Sequence, residues 1–487
     1  MDNTLKNIST LGELKNAGFK SKTIKDELRD NLILKLQKKE PIFKGIIGYE
    51  TTVIPQLQRA ILSKHNINLL GLRGQAKTRI ARSLVDLLDE WMPIIEGSEI
   101  NDDPFNPISM FGKQLLAEKG DDTPISWIHR TNRFFEKLAT PDVTVADLIG
   151  DVDPIKAANL KLSYADERVI HYGMIPRANR CIFVINELPD LQARIQVALF
   201  NILQEGDIQI RGFQVRLNLN LQFVFTANPE DYTNRGSIVT PLKDRIGSQI
   251  LTHYPINRKI AKKITAQEAQ SNNALEERIH IPEVALELLE QIGFEARTSE
   301  YIDVKSGISA RMSITAYENL ISAAELRLLK SGDQHTSIRM SDFLGVIPAI
   351  TGKVELVYEG EQEGAEGVAL LLIGGAIKSL FEEYFLTIKK LSKPGQYDDI
   401  DAITEWFINH PGFELLNDST NETFTEAINE ISPLTDMLNK YQPNTDSKDL
   451  IFMKEFILWA LVEFKKLDKK QVEDGYEFED NLLRRYE

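Results

Sequence analysis

Residues 66–79 read NINLLGLRGQAKTR, and this stretch decides the fold. The apolar run Ile67 to Leu70 is too short for a helix and predicts a buried strand. It runs into Gly71-Leu72-Arg73-Gly74-Gln75-Ala76-Lys77-Thr78-Arg79, and Ile80, Ala81, Leu84 and Leu87 then recur at helix spacing. Phosphate binding needs backbone N–H groups turned inward, which glycines permit. It also needs a helix N-terminus aimed at the anion, a lysine for the outer phosphates and a hydroxyl for a metal. Lys77 and Thr78 suit the last two roles. Ala76 stands where the usual pattern has a glycine, and a plain glycine turn is the alternative reading.

Two further strand ends bear on that choice. Cys181-Ile182-Phe183-Val184-Ile185-Asn186-Glu187 is an apolar run that ends in an amide and a carboxylate. A glutamate there can polarise a water for attack on a terminal phosphoryl group. Phe223-Val224-Phe225-Thr226-Ala227-Asn228-Pro229 is another such run, and Asn228 can orient the water or touch phosphate. Three strand ends with phosphate chemistry, in order, favour a nucleotide-binding domain over a chance glycine turn.

The surrounding chain fits a large protein. Its 487 residues suggest about three domains at roughly 150 residues each. Residues 1–40 read as a helical lead-in, with Leu28, Leu32, Leu34 and Leu36 as its apolar positions. Residues 41–255 alternate strand and helix patterns and predict an α/β nucleotide-binding domain, with insertions near 93–140 and 150–176. Residues 256–350 read as a helical lid. Residues 351–487 read as a helical C-terminal extension, with a linker at 359–367, a break at Lys393-Pro394-Gly395, and a solvated acidic face or tail at 473–480. The net charge of −15 argues against a general nucleic-acid binder. A single cysteine, Cys181, excludes an internal disulfide or a cysteine-based zinc site and makes a reducing, cytoplasmic setting the default. No apolar run approaches the roughly 20 residues of a membrane span.

These residues together resemble the AAA+ ATPases, in the branch that holds the MoxR proteins and the magnesium-chelatase motor subunit. The resemblance runs from about residue 45 to residue 329, and that branch often has alanine before the phosphate-loop lysine. Residues 143–153 resemble the segment that leads to the family's inserted hairpin, and residues 173–180 the stretch before its second strand. The resemblance implies a P-loop α/β domain, with a parallel sheet sandwiched by helices, followed by an all-helical lid. It implies ATP and Mg2+ as ligands, with Gly48 and Tyr49 beside the adenine. Pro241-Leu242-Lys243-Asp244-Arg245 is similar to the segment that carries an arginine finger, so Arg245 would act on a neighbouring subunit's nucleotide. Arg235 is a rival for that contact, and Arg311 matches the position that reads nucleotide from the lid.

Asn186 departs from the family, which generally has aspartate there to hold the metal's water shell. Asparagine keeps an acceptor oxygen but removes a charge. With Thr78, Asn186 and Glu187 around the metal and Glu187 intact, the expectation is a slow ATPase, and a return to aspartate would leave the rate equal or raise it. The resemblance further implies a homo-oligomeric ring, hexameric in the family, that remodels a protein partner; a von Willebrand factor A domain protein is the family's usual companion. Two alternatives stay open: a weakly hydrolysing nucleotide-binding scaffold or regulator, and, more narrowly, a magnesium-chelatase motor subunit.

Overall fold

Five short segments of the first unit pair into one parallel sheet. In chain order they are β1 (Ile67–Leu70), β2 (Phe134–Leu138), β3 (Cys181–Asn186), β4 (Leu221–Ala227) and β5 (Ser248–Leu251). Their order across the sheet is β5-β1-β4-β3-β2. The computed structural model describes residues 7–163, 166–210, 216–229, 237–270, 277–303, 305, 307–385, 399–473 and 475–480. It divides the chain into two compact units, Met1–His253 and Tyr254–Glu487, where length alone suggests about three domains.

Strands buried on both faces read as continuous apolar runs, and every residue of β4 is buried. Side chains alternate between the two faces. Ile67, Leu69, Ile182, Val184 and Val224 pack under the helices Ile24–Gln37, Val53–Leu62 and Lys77–Ser83. Leu70, Phe183, Ile185, Phe223 and Phe225 face the other way, against Ile195 and Ile202 of helices Ala193–Ala198 and Phe200–Glu205. The expected sandwich of a parallel sheet between helices is present.

The lead-in belongs to this unit. Leu28 and Leu32 are buried, whereas Leu34 and Leu36 are exposed, because only positions 24, 28 and 32 share the inward stripe of helix Ile24–Gln37. Glu27, on the same side, meets the fully buried Arg133 through two parallel hydrogen bonds of 2.7 Å. Arg133 also donates to the carbonyl of Arg180, just before β3. Burial raises the thiol of Cys181, the first residue of β3, to about 11, so it is an inert packing group.

The region expected as an insertion at 93–140 is partly core. Trp91–Ile95 pairs antiparallel with Ile125–His129 outside the central sheet, but Phe134–Leu138 is its edge strand β2. At 150–176, Gly150–Val152 and Ile170–Tyr172 form a small antiparallel pair around helix Pro154–Leu160.

In the second unit one apolar core joins Leu288, Leu320, Ile377 and Phe456, so the helices expected as lid and as extension pack together. The segment expected as a linker is helical: Tyr358–Glu363 and Ala365–Tyr384 abut at Gly364, whose φ of +80° turns the chain. The break expected at 393–395 lies outside the described residues. The acidic stretch expected as a solvated face or tail is in part a strand. Gly475–Asp480 is the middle strand of an antiparallel sheet with Phe413–Leu416 and Leu467–Val472. Its Tyr476 and Phe478 are buried, and the alternation of acid and aromatic residues is a strand's, not a tail's.

Glu455 lies fully buried in this unit, accepting a hydrogen bond from the Met340 amide at 2.8 Å. Burial lifts its pKa from 4.5 to about 7. Two outcomes are expected. Glu27→Gln leaves the Arg133 charge buried with half its partner gone, and should cost about 3–5 kcal/mol in urea denaturation. Glu455 binds its proton more tightly in the folded chain, so its ionisation opposes folding; stability should fall as pH rises from 4.5 through 7, and Glu455→Gln should flatten that slope.

Candidate functional site

Because all five strands run the same way, their C-terminal ends share one edge, where open α/β sheets place ligands. The register brings Leu70 level with Ala227 and with Leu251. It also brings Leu138 level with Asn186 on β3, which is paired to β4.

The phosphate loop leaves β1 at that edge. The Gly71 amide donates to the carbonyl of Ala227 at 3.1 Å. A Cβ added at Gly71 would run into Thr252 Oγ1 and Gln75 Oε1, so both side chains would have to give up their contact with each other. Gly74 has a φ of +71°. Ala76 also adopts the left-handed conformation, φ 54° and ψ 18°, which a Cβ makes unfavourable by ~1–2 kcal/mol. The departure from glycine in the motif is thus a point of strain, with the loop's backbone shape kept. Lys77, buried, opens helix Lys77–Ser83 and donates to the carbonyls of Gly71 and Leu72. Thr78 is half-buried in the first turn of that helix, and Arg73 and Arg79 are exposed.

Tyr49 joins the loop to β5. Its hydroxyl donates to the carbonyl of His253 at 2.7 Å and reaches the carbonyl of Gln75 at 3.1 Å, and its ring stands edge-on to His253. Gly48, with a φ of +85°, turns the chain just before it.

At the end of β3 the polar groups are tied together. The Glu187 amide donates to Thr226 Oγ1 at 3.1 Å, and Thr226 Oγ1 donates to Asn186 Oδ1 at 3.2 Å. Asn186 Nδ2 donates to Glu136 Oε1 at 2.5 Å. Arg82, on the phosphate-loop helix, donates to Glu136 Oε2 at 2.7 Å. Glu187 itself is left-handed, φ 54° and ψ 50°. Strain of this kind in a non-glycine residue concentrates at functional sites. Asn228 follows β4 and is 3% exposed.

Arg245 ends helix Thr240–Arg245, three residues before β5 begins. It therefore lies at the N-terminal edge of the sheet, separated from the phosphate loop by the ~13 Å length of a four-residue strand. Gln204 Oε1, the Pro241 carbonyl and the ring of Phe200 hold its guanidinium. Arg311 is exposed at the start of helix Arg311–Ser331 in the second unit. Arg235 lies outside the described residues.

Sequence reasoning missed Glu136, Thr226 and Thr252. The signal for Glu136 was its place as the one acid in Phe134-Phe135-Glu136-Lys137-Leu138, a run assigned to an insertion and not to the sheet. Its contact bears on the expectation for Asn186: an aspartate there would set a carboxylate against the carboxylate of Glu136.

Thr78, Asn186 and Glu187 bring a hydroxyl, an amide oxygen and a carboxylate to one edge. Among the described residues no cluster of three or more His, Cys, Asp or Glu could hold a metal by itself. The donor set suits a hard cation that takes its other ligands from phosphate and water. Among the described residues, no helix is long and apolar enough to cross a membrane.

The family model for the AAA domain of the dynein-related subfamily matches residues 124–246. The chain is 24% identical over 277 residues to magnesium-chelatase subunit ChlI-2, chloroplastic, of Arabidopsis thaliana, covering 56% of this chain and 63% of that protein. It is 24% identical over 222 residues to the magnesium-chelatase 38 kDa subunit of Cereibacter sphaeroides, covering 45% and 60%. The chain thus spans less than two thirds of either relative. Among solved structures, the complex between subunits BchI and BchD of magnesium chelatase aligns with a TM-score of 0.34 at 17% identity, over 66% of this chain and 99% of that one.

The loop geometry separates two substitutions. Gly71→Ala should abolish ATP binding in calorimetry, because the new methyl collides with Thr252 and Gln75. Ala76→Gly should keep ATP affinity, and its melting temperature should hold or rise: relief of ~1–2 kcal/mol of strain outweighs the ~0.5–1 kcal/mol entropic cost of glycine. A less stable Ala76→Gly protein would contradict this account.

Proposed function

We propose that the chain is an AAA+ ATPase of the branch that holds the MoxR proteins and the magnesium-chelatase motor subunits, and that it hydrolyses ATP to remodel a protein partner. The observation that carries this reading is the convergence of Lys77, Asn186, Glu187 and Asn228 at the ends of three adjacent parallel strands.

The roles follow from chemistry. The phosphate loop, from Gly71 to Arg79, holds the phosphates with its N–H groups, and Lys77 sets a point charge against the outer ones. The branch resemblance sets Gly48 and Tyr49 beside the base and gives Arg311 the reading of the nucleotide. Thr78, with Asn186 and Glu187, would hold magnesium, which when bound supplies positive charge to the phosphate oxygens. Glu187 takes the proton from the attacking water, which Asn228 orients. The left-handed backbone and the bond from its amide to Thr226 fix the backbone of Glu187.

Arg245 supports a shared site. From the N-terminal edge of its own sheet it is poorly placed for its own subunit's nucleotide and suited to a neighbour's. A closed ring, hexameric as in the family, supplies that neighbour. The partner would be a von Willebrand factor A domain protein, as the branch resemblance implies. A magnesium-chelatase motor role is the narrower form of this proposal, since both relatives are magnesium-chelatase subunits. The missing charge at Asn186 favours the second reading, a nucleotide-binding scaffold with little turnover.

Lys77→Ala should abolish ATP binding in calorimetry while the fold is retained. Glu187→Gln should bind ATP and lose about 10²–10⁴-fold in turnover, the usual worth of a positioned base. Wild-type turnover should rise with protein concentration as rings form. Rings mixed from Arg245→Ala and Glu187→Gln subunits, verified by native mass spectrometry, should exceed either parent in activity. ATP binding with wild-type turnover no greater than that of Glu187→Gln would decide for the scaffold.

A further inference from the structure

The position of Asn186 raises a question of charge: a site that handles a divalent cation lacks the carboxylate usual at that point. The structure holds a carboxylate one strand away. Glu136 lies on β2, two residues before Leu138, which is level with Asn186. By the alternation of side chains, Glu136, Val184, Asn186 and Thr226 share one face of the sheet, the face packed under the phosphate-loop helix Lys77–Ser83.

The hydrogen bonds along that face run in one direction. The Glu187 amide donates to the Thr226 hydroxyl, which donates to Asn186 Oδ1. Asn186 Nδ2 donates to Glu136 Oε1, and Arg82 Nη2 and Nε donate to Glu136 Oε2 at 2.7 and 3.2 Å. Every link points toward the Glu136 anion, and chains polarised in one sense strengthen their members. The amide of Asn186 has no freedom to flip: its NH2 must meet Glu136, so its oxygen faces Thr226.

We infer that Glu136 is a positioning residue for ATP hydrolysis: the carboxylate displaced from position 186 to the neighbouring strand, where it orients Asn186 and, through Thr226, the backbone of Glu187. The inference rests on the ATPase reading above and deepens it. Glu136 touches no nucleotide in this account. It supplies the negative charge that position 186 lacks and anchors it to the phosphate-loop helix through Arg82.

Donor and acceptor counting supplies a sharp test. In Glu136→Gln, a carboxamide cannot accept from both Asn186 Nδ2 and Arg82; Asn186 must turn its amide over to accept from the new NH2, which takes its oxygen from the Thr226 hydroxyl and breaks the chain to Glu187. In Asn186→Asp, two carboxylates face each other and repel. In the exchange Glu136→Gln/Asn186→Asp, the carboxamide now on β2 donates through its NH2 to the new carboxylate on β3. Its oxygen accepts from Arg82, and the carboxylate accepts from Thr226. Net charge is unchanged and every partner is satisfied. The Arg82–Glu136 pair is exposed on the arginine side, so its loss weighs little on stability.

The experiment uses the full chain in four forms: wild type, the two single variants and the exchange. It measures ATP turnover, and ATP affinity with Mg2+ and with EDTA by calorimetry, with thermal unfolding as the check on folding. Each single variant should lose roughly 10–100-fold in turnover, the usual range for groups that orient metal-site ligands. Each should also lose most of the affinity that Mg2+ adds to ATP binding, while affinity in EDTA holds. The exchange should recover both to within about threefold of wild type, at an unchanged melting temperature. Wild-type behaviour in Glu136→Gln, or an exchange no better than the poorer single variant, overturns the inference. A wild-type chain that binds ATP without turning it over would retire the ATPase reading separately. The cycle in Mg2+-dependent affinity would then still decide whether Glu136 substitutes for the missing carboxylate.

Discussion

The parallel direction of the five central strands constrains everything else in the first unit. A parallel sheet needs a crossover over one face or the other between successive strands, so both faces are covered and the inner strands become nearly apolar throughout. Leu221–Ala227 has no exposed residue, and its neighbours are nearly as dry. Polar chemistry is then possible only where the strands stop. Gly71, Glu187, Asn228 and Thr252 each stand just after the last residue of a strand, on neighbouring strands of one edge. The site is a consequence of that alignment, and Arg245, at the opposite edge, is excluded from it by the same geometry.

Two residues at the edge take left-handed backbones without being glycine, Ala76 and Glu187. Each conformation is costly, and in each case neighbouring bonds hold it. Ala76 accepts the first helical bond, from Ile80, while Glu187 is tied by its amide to Thr226. Such strain persists where the surroundings over-determine it. At the phosphate loop it carries the chain into helix Lys77–Ser83; at Glu187 it turns a carboxylate-bearing residue out of the strand direction at the sheet's polar end.

Two of the buried or half-buried charges on the edge strand β2 and the residue before it have different tasks. Arg133, at the strand's entrance, is wholly enclosed and matched by the fork of Glu27, an arrangement that docks the lead-in helix and that a single neutral substitution would leave unbalanced. Glu136, further along, is part-exposed and shared between an amide and a guanidinium. Enclosure makes the first a structural bond. Partial exposure at the polar edge leaves the second available to organise a site.

Much of this was legible in the sequence because it is local. A four-residue apolar run before glycines, with lysine and hydroxyl at the start of a helix, states the phosphate loop through backbone conformation and spacing alone. The runs that end at Asn186 and Ala227 state the other two strand ends in the same way. The acidic, aromatic alternation of Gly475–Asp480 reads as a solvated face or tail because a strand's partners, Phe413–Leu416 and Leu467–Val472, cannot be seen from the strand itself. The same holds for Phe134–Leu138, whose place in the sheet depends on pairing with β3 some 50 residues later. So the amino-acid sequence by itself determined the fold class and the residues of the phosphate loop and strand ends, whose signals lie within a few residues. Only the tertiary structure decided that Glu136 faces Asn186 and that Arg245 lies at the far edge. Strand order and register are set by packing between distant segments, and no local pattern encodes them.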